Sequence, residues 1–281
     1  MMSRKLAVFD IDGTIAQKGV VDPAALKGIK HLQTIGYSTT LSTGRSYNSM
    51  KYAMGKLFDE IVSDDALIIL EQGTRICDKK GNTFFAEYLG PEEIGHIIDF
   101  MRTNNGLVHF AWFNPDESER PQLLWSDEPA KSEAEMERRK DFAEATSGPL
   151  AEFKELLLGE KLTQIECRLP SHIFVQNLRI GLHNVPLNII LQDKNMTFIK
   201  NNTNKGLSVL YLMKHMGIDY EDVLVAGNAV NDLEMLDLGV GKRILVGPKD
   251  ERDTVLGYMS ETAEVVQLPS PAHLGLYLQK L

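Results

Sequence analysis

The chain has 281 residues, 43% hydrophobic and 25% charged, with a formal net charge of -9 at pH 7. That length holds one large domain or two unequal ones with a substantial core. The acidic balance excludes nucleic acid as a general partner, since phosphate backbones are held by basic surfaces, and no apolar run approaches the ~20 residues that cross a bilayer.

Cys77 and Cys167 are the two cysteines, and their spacing supports neither a disulfide framework nor a zinc cluster. The opening MMSRKLAVFDIDG passes from basic residues to a short apolar run closed by aspartate, unlike a secretory leader. A cytoplasmic location without membrane contact is therefore expected.

In chain order, LAVF at 6–9 has the continuous apolar character of a strand buried on both faces. Asp22 and Pro23 form the N-cap and first position of a helix over PAALKGIKHLQTIG, 23–36. YSTTLSTG at 37–44 reads as the next strand and a further helix follows, so a right-handed βαβ unit in a parallel sheet is expected. The same grammar returns with IIL at 68–70. Later come GLSVLYLMKHMG as helix, DVLVAG at 222–227 as strand, LEMLDLG as helix and RILVG at 243–247 as strand.

Between about 87 and 195 the order changes. PEEIGHIIDFMRTNNG reads as helix and LVHFAWF and PQLLWS as strands, with Trp112 and Trp125 packed in a core by default and sugar stacking as the sharper alternative. Glu133 to Glu144 reads as a solvated helix face, and ELLLGEKLTQIECRL, HIFVQNLRIGL and NIILQD follow. This is an α+β insert with hairpins inside an α/β domain, giving 1–86 and 196–281 as the core and 87–195 as the insert. The seven histidines are scattered without ligand spacing.

Residues i and i+2 of a strand share a face, so Asp10 and Asp12 of LAVFDIDGTI are expected together at the carboxyl end of the first strand, where open α/β sheets bind ligands. Two carboxylates that close repel, more so where water is scarce. A divalent cation between them removes the conflict. An Asp-Gly turn is the plainer alternative. A calcium loop fails on spacing: with Gly13 as the loop glycine, Val8 takes the first ligand position and Gly19 the place of the bidentate Glu.

LSTGRS at 41–46 ends an apolar strand in hydroxyls and glycine before a helix, which presents N–H groups and the Thr43 hydroxyl to an anion or simply caps the helix. NTNKG at 202–206 places Lys205 at a helix start, where a lone lysine is commonly solvated. LVAGNAVNDLEML at 224–236 delivers Asn228, Asn231 and Asp232 to the same sheet edge.

In this order the pieces resemble the haloacid dehalogenase superfamily phosphatases: DIDGT the first motif, Thr43 of LSTGR the second, Lys205 of NKG the third and GNAVND the fourth. EQGTRI at 71–76 is similar to the ENG stretch of the Cof-like and sucrose-phosphatase-like branch, whose α+β cap is inserted between the second and third motifs. The resemblance implies a Rossmann-like parallel-sheet core with a smaller cap that closes over it and selects the leaving group. It implies Asp10 as the nucleophile forming an aspartyl phosphate and Asp12 as general acid, then base. Thr43 and Lys205 would join them in catalysis, with Asp10, Thr14, Thr43, Gly44, Arg45, Lys205 and Asn231 around the phosphate. Mg²⁺ would be held by Asp10, the Asp12 backbone carbonyl, Asn228 and Asp232. The implied substrate is a small phosphorylated metabolite, in this branch a sugar phosphate, with oligomeric state open.

Asn228 departs from the family pattern Gly-Asp-x-x-Asn-Asp. An amide oxygen still ligates magnesium, but one negative charge is gone, and a unit charge at ~4 Å is worth roughly 4 kcal/mol at an effective dielectric near 20. Two alternatives follow. A phosphosugar mutase would need basic cap residues, among Arg138, Arg139, Arg168 and Arg179, to converge on a second phosphate. A catalytically weakened ligand-binding protein would follow from Asn228 itself.

Overall fold

The computed structural model describes residues 4–104, 110–115, 123–125, 137, 154–155, 157–169, 187–192, 195–260 and 264–281. The chain divides into two compact units, one of Met1–Arg45, Ala53–Phe85 and Asn204–Leu281, the other of Ser46–Tyr52 and Ala86–Thr203. No helix among the described residues is long and apolar enough to cross a membrane.

The first unit is built on a parallel five-stranded sheet, in the order Val266–Leu268, Lys242–Val246, Val223–Gly227, Lys5–Phe9, Tyr37–Leu41. Leu6, Ala7, Val8 and Phe9 have no exposed surface, as the unbroken apolar run requires of a strand with helices on both faces. From Lys5–Phe9 the chain first moves to Tyr37–Leu41 and only much later fills the other side with Val223–Gly227. The strand order reverses between these neighbours, which opens a crevice at their carboxyl ends.

The expected helix start is present: Pro23 opens helix Pro23–Thr34, and the Asp22 carboxylate accepts from the Ala24 and Ala25 amides at 2.8 and 3.3 Å. Two details depart from the sequence reading. Ile68–Leu70 does not continue the parallel grammar but pairs antiparallel with Arg75–Cys77, touching the main sheet through the parallel bridge of Ile69 with Ser42. The reason is the turn between them, with Glu71, Gln72 and Gly73 at φ +53°, +61° and +96°, which reverses the chain in fewer residues than a parallel crossover needs. The edge strand Val266–Leu268 and helix Pro271–Leu278 are too short to announce themselves by periodicity.

Helix Pro271–Leu278 packs on helix Pro23–Thr34 through two glycines. A methyl group added at Gly275 would lie 2.0 Å from the Ala24 carbonyl oxygen, and one at Gly28 would lie 2.7 Å from the Gly275 carbonyl oxygen. The backbones touch, so no side chain fits between them.

The second unit holds an antiparallel five-stranded sheet, ordered Leu187–Gln192, Asn195–Lys200, Leu162–Arg168, Phe110–Pro115, Leu123–Trp125. Helix Pro91–Thr103 repeats its apolar residues at Ile94, Ile97, Ile98 and Met101, the i, i+3, i+4, i+7 stripe of one helix face, and buries them with Leu162, Ile165, Met196 and Phe198. The side chains of Trp112 and Trp125, most of the charged run 133–144, the segment HIFVQNLRIGL, and Arg138, Arg139 and Arg179 lie outside the described residues. Arg168 donates to the Asn195 side-chain oxygen at 2.6 Å.

Overpacking a closed contact costs about 1–3 kcal/mol, so Gly275→Ala is expected to lower unfolding stability by that amount in urea titrations. Gly239→Ala, whose new methyl meets nothing within 4 Å, should leave the midpoint within about 0.5 kcal/mol of the parent. Equal midpoints for the two variants would refute the close helix crossing.

Candidate active site

All ten site residues named from sequence belong to the first unit. Asp10 follows the last residue of its strand and is anchored by its own N–H, which donates to the Ala226 carbonyl at 2.9 Å. Its side chain is buried, with one oxygen accepting from Lys205 Nζ at 2.8 Å and the other from the Thr14 hydroxyl at 3.1 Å. Lys205, the first residue of helix Lys205–Met216, is no solvated lysine. Its ammonium is fully buried and also donates to Asp232 at 2.6 Å.

Glycines set this approach. A methyl group at Gly206 would lie 2.4 Å from the Glu234 carbonyl oxygen, and one at Gly73 would lie 2.3 Å from that of Asn204. The helix bearing Lys205 is thereby seated against both the fourth-motif loop and the Glu71–Gly73 turn.

Asp12 does not share the first carboxylate's surroundings, contrary to the period-two expectation. The strand ends at Phe9, Gly13 turns the chain at φ +94° and Asp12 forms a bridge with Ala16, so the alternation of strand faces lapses before residue 12. The Asp12 carboxylate is half-exposed and held by Arg45 through two hydrogen bonds, 2.7 and 2.8 Å. Planar two-point pairing of this kind fixes a carboxylate in direction as well as position. The two acids therefore have different partners.

The LSTGRS segment lies along the same edge. Thr43 is buried, its N–H donates to the Ile69 carbonyl at 3.0 Å, and its hydroxyl accepts from the Arg45 amide at 3.2 Å. The Glu71 and Gln72 amides donate to the Arg45 and Thr43 carbonyls, both at 3.1 Å, which fastens the left-handed turn to this loop. The turn aims the buried Gln72 side chain at Gly44, where a methyl group would lie 2.4 Å from its amide nitrogen, and Gln72 Oε1 accepts from Asn231 Nδ2 at 3.2 Å. Sequence reasoning missed Gln72. Its signal was two non-glycine residues before Gly73 in a stretch similar to ENG, but only the fold shows where the turn directs the amide.

Asp232 has no exposed surface. One oxygen faces Lys205 and the other accepts from the Asn228 and Ala229 amides at 2.9 and 3.1 Å. In the metal-free protein it holds Lys205 and closes the loop that presents Asn228.

The same four chain segments match a family model. That model, for a haloacid dehalogenase-like hydrolase, covers residues 7–248. The chain belongs to this family. The hydrolase is 26% identical to an HMP-PP phosphatase of Klebsiella pneumoniae (strain 342) over 263 residues, spanning 86% of this chain and 84% of that one. An HMP-PP phosphatase of Yersinia pseudotuberculosis is equally similar over 259 residues, with the same coverage. In fold it resembles a solved haloacid dehalogenase subclass IIB sugar phosphatase, with a TM-score of 0.78 at 14% identity over 98% of both chains. A HAD/COF-like hydrolase from Plasmodium vivax gives 0.76 at 21% identity, over 99% of this chain and 95% of the other.

Among the described residues, no group of three His, Cys, Asp or Glu side chains is arranged to hold a metal ion. The donor set of this hydrolase is of another kind. With its nitrogen turned inward, the Asn228 amide donates to Asp10 Oδ2, the Asp12 carbonyl and the Thr14 hydroxyl, at 3.2, 3.0 and 3.2 Å. A carboxylate, a backbone carbonyl and an amide oxygen from these residues suit a small hard cation, which takes oxygen ligands. The residues fit Mg²⁺.

Burial first, then the neighbouring Asp232, push the Asp10 carboxyl up from 3.8 to about 7, with Lys205 pulling the other way. Burial alone would favour neutral Lys205, but the Asp10 and Asp232 carboxylates outweigh it and hold the ammonium above the ordinary lysine range. The sign for Asp10 follows from linkage. A carboxyl raised in the folded state binds a proton that the unfolded chain has released, so its contribution is complete below pH 3.8 and is lost as pH rises through about 7. In metal-free buffer the melting temperature is expected to fall between pH 5 and 8 by an amount that Asp10→Asn largely removes. Parallel melting profiles for parent and variant would show that Asp10 does not titrate in this window.

Proposed function

We propose that this hydrolase removes the phosphoryl group from a small phosphorylated metabolite through an aspartyl phosphate on Asp10. The observation that carries the reading is the buried Lys205 ammonium 2.8 Å from the Asp10 carboxylate. It holds one oxygen of a nucleophile in place and supplies positive charge where phosphoryl oxygens must gather. Phosphoryl transfer depends chiefly on positioning and charge stabilisation, and Thr43, Gly44 and Asn231 are assigned to the phosphoryl oxygens.

In the first half-reaction Asp10 attacks phosphorus and Asp12 protonates the departing alcohol oxygen. In the second, Asp12 takes a proton from water as that water attacks the aspartyl phosphate, which returns Asp10 and releases phosphate. Arg45 directs the Asp12 carboxylate toward that work. Mg²⁺ held by Asp10, the Asp12 carbonyl and Asn228 would neutralise charge on the transferring phosphoryl group.

HMP-PP phosphatases among its relatives and a sugar phosphatase among its structural neighbours support the small-metabolite class, with a sugar phosphate as the favoured member. Choice of leaving group is assigned to residues 87–195, and the cytoplasm is the proposed compartment. Asn228 favours one second reading, a weakened catalyst that retains ligand; tight metabolite binding without turnover would distinguish it.

A panel of small phosphate esters assayed with Mg²⁺ tests the reading. Turnover on at least one sugar phosphate is expected, with Asp10→Asn reducing kcat at least about 10³-fold, the scale of losing a covalent catalyst. No ester hydrolysed with any divalent metal would overturn it. During turnover of an aryl phosphate, Asp12→Asn should accumulate the acyl phosphate, which borohydride reduces to homoserine at position 10, read by peptide mass. Label at any other residue would displace Asp10 as the nucleophile.

A further inference from the structure

One terminal atom of the Asn228 side chain lies within hydrogen-bond distance of three oxygens: 3.2 Å from Asp10 Oδ2, 3.0 Å from the Asp12 carbonyl and 3.2 Å from Thr14 Oγ1. Which atom occupies that position is a chemical choice. With Asp10 ionised, as a cation ligand must be, an amide oxygen there would face a carboxylate and a carbonyl, neither of which has a proton to give. Thr14 carries the single shared hydroxyl proton, which can go to Asn228 Oδ1 at 3.2 Å or to Asp10 Oδ2 at 3.1 Å. An amide nitrogen there has two N–H groups to share among the three oxygens. In the metal-free protein, nitrogen inward is the lower-energy arrangement, because oxygen inward leaves acceptors crowded without donors.

A divalent cation reverses the preference. Ligands at 2.0–2.1 Å in octahedral geometry have neighbouring oxygens about 3 Å apart, and 3.0 to 3.2 Å is the spacing this corner already shows. A cation requires oxygen inward, since an amide nitrogen bearing two protons offers it no lone pair. An aspartate at this position would have no nitrogen to turn, and would add a carboxylate beside Asp10. The surroundings suit a reorientation: a methyl group at Gly13 would lie 2.2 Å from the Asn228 nitrogen in its outward orientation, so glycine leaves the amide the room it uses. The Asn228 backbone stays fixed by the hydrogen bond from its N–H to Asp232.

We propose that the Asn228 side chain is a two-state ligand whose amide nitrogen occupies the divalent-cation corner as an internal stand-in, and which turns over to present its oxygen when the cation enters. Metal binding must then break the hydrogen bonds given by that nitrogen and rotate one amide. The protein exchanges affinity for a metal-free site that is already assembled and has no further carboxylate beside Asp10. The inference rests on the cation part of the proposed function, and its test reads the amide itself, so failure to hydrolyse any ester would count against the phosphatase reading and leave this measurement standing.

The test uses the full chain, stripped of metal and titrated with MgCl₂. Asn228→Asp is expected to bind Mg²⁺ at least about tenfold more tightly than the parent by calorimetry, to melt at a lower temperature without metal and to gain more from saturating Mg²⁺. The Asn228 side-chain amide resonance, assigned by its loss in that variant, should show slowed hydrogen exchange without metal and should shift along the same Mg²⁺ isotherm as the calorimetric signal. Asn228→Ala, which has neither orientation, should melt below the parent without metal and bind Mg²⁺ at least about tenfold more weakly. Equal Mg²⁺ affinity in parent and both variants, or saturation with Mg²⁺ that leaves the Asn228 amide resonance unmoved, would overturn the proposal. So would the absence of Mg²⁺ binding by parent and Asn228→Asp alike.

Discussion

The buried ammonium of Lys205, held between Asp10 and Asp232 at 2.8 and 2.6 Å, is the constraint on which the site depends. A charge removed from water must be repaid by partners of excellent geometry, and here they come from the end of the first strand and from the loop after Val223–Gly227. Three stretches of chain, more than two hundred residues apart at their extremes, are thereby locked to within a hydrogen bond. The parallel sheet makes the arrangement reachable, because its strand order reverses between those two strands and leaves their carboxyl ends open to each other.

Around this pair the site separates its two kinds of acid. Burial and the neighbouring Asp232 raise the proton affinity of Asp10 against the pull of Lys205; Asp12 faces arginine and solvent. In the proposed reaction the same tripeptide supplies a buried carboxylate for attack and an accessible one for proton traffic. Different environments for two nearby carboxyls are the physical basis for assigning them different roles. The left-handed Glu71–Gly73 turn supports both by bracing the Thr43–Arg45 loop, and it costs backbone strain that its hydrogen bonds to that loop offset.

Asn228 adds a third consequence. With an aspartate there, a metal-free site would carry three carboxylates against one lysine. With an amide, the same corner can satisfy its oxygens by hydrogen bonding. The chemistry of a single nitrogen in place of an oxygen thus changes what the protein gains by binding a cation.

Much of this was legible in the chain before any coordinates. LAVF could only be a strand buried on both faces; Asp22-Pro23 could only begin a helix well; and four short motifs in fixed order, with a long insert of different grammar, resembled a family to which the chain belongs. Such features are local or depend on order, and order survives in a linear string. What the tertiary structure decided was the pairing: Lys205 with Asp10 and Asp232, Arg45 with Asp12, Gln72 against Gly44, and Asp232 turned toward lysine. It also decided that strand alternation lapses after Phe9. Side-chain partners are set by which backbones touch, as at Gly206, Gly73 and Gly275, and contact between distant segments leaves no period in the sequence.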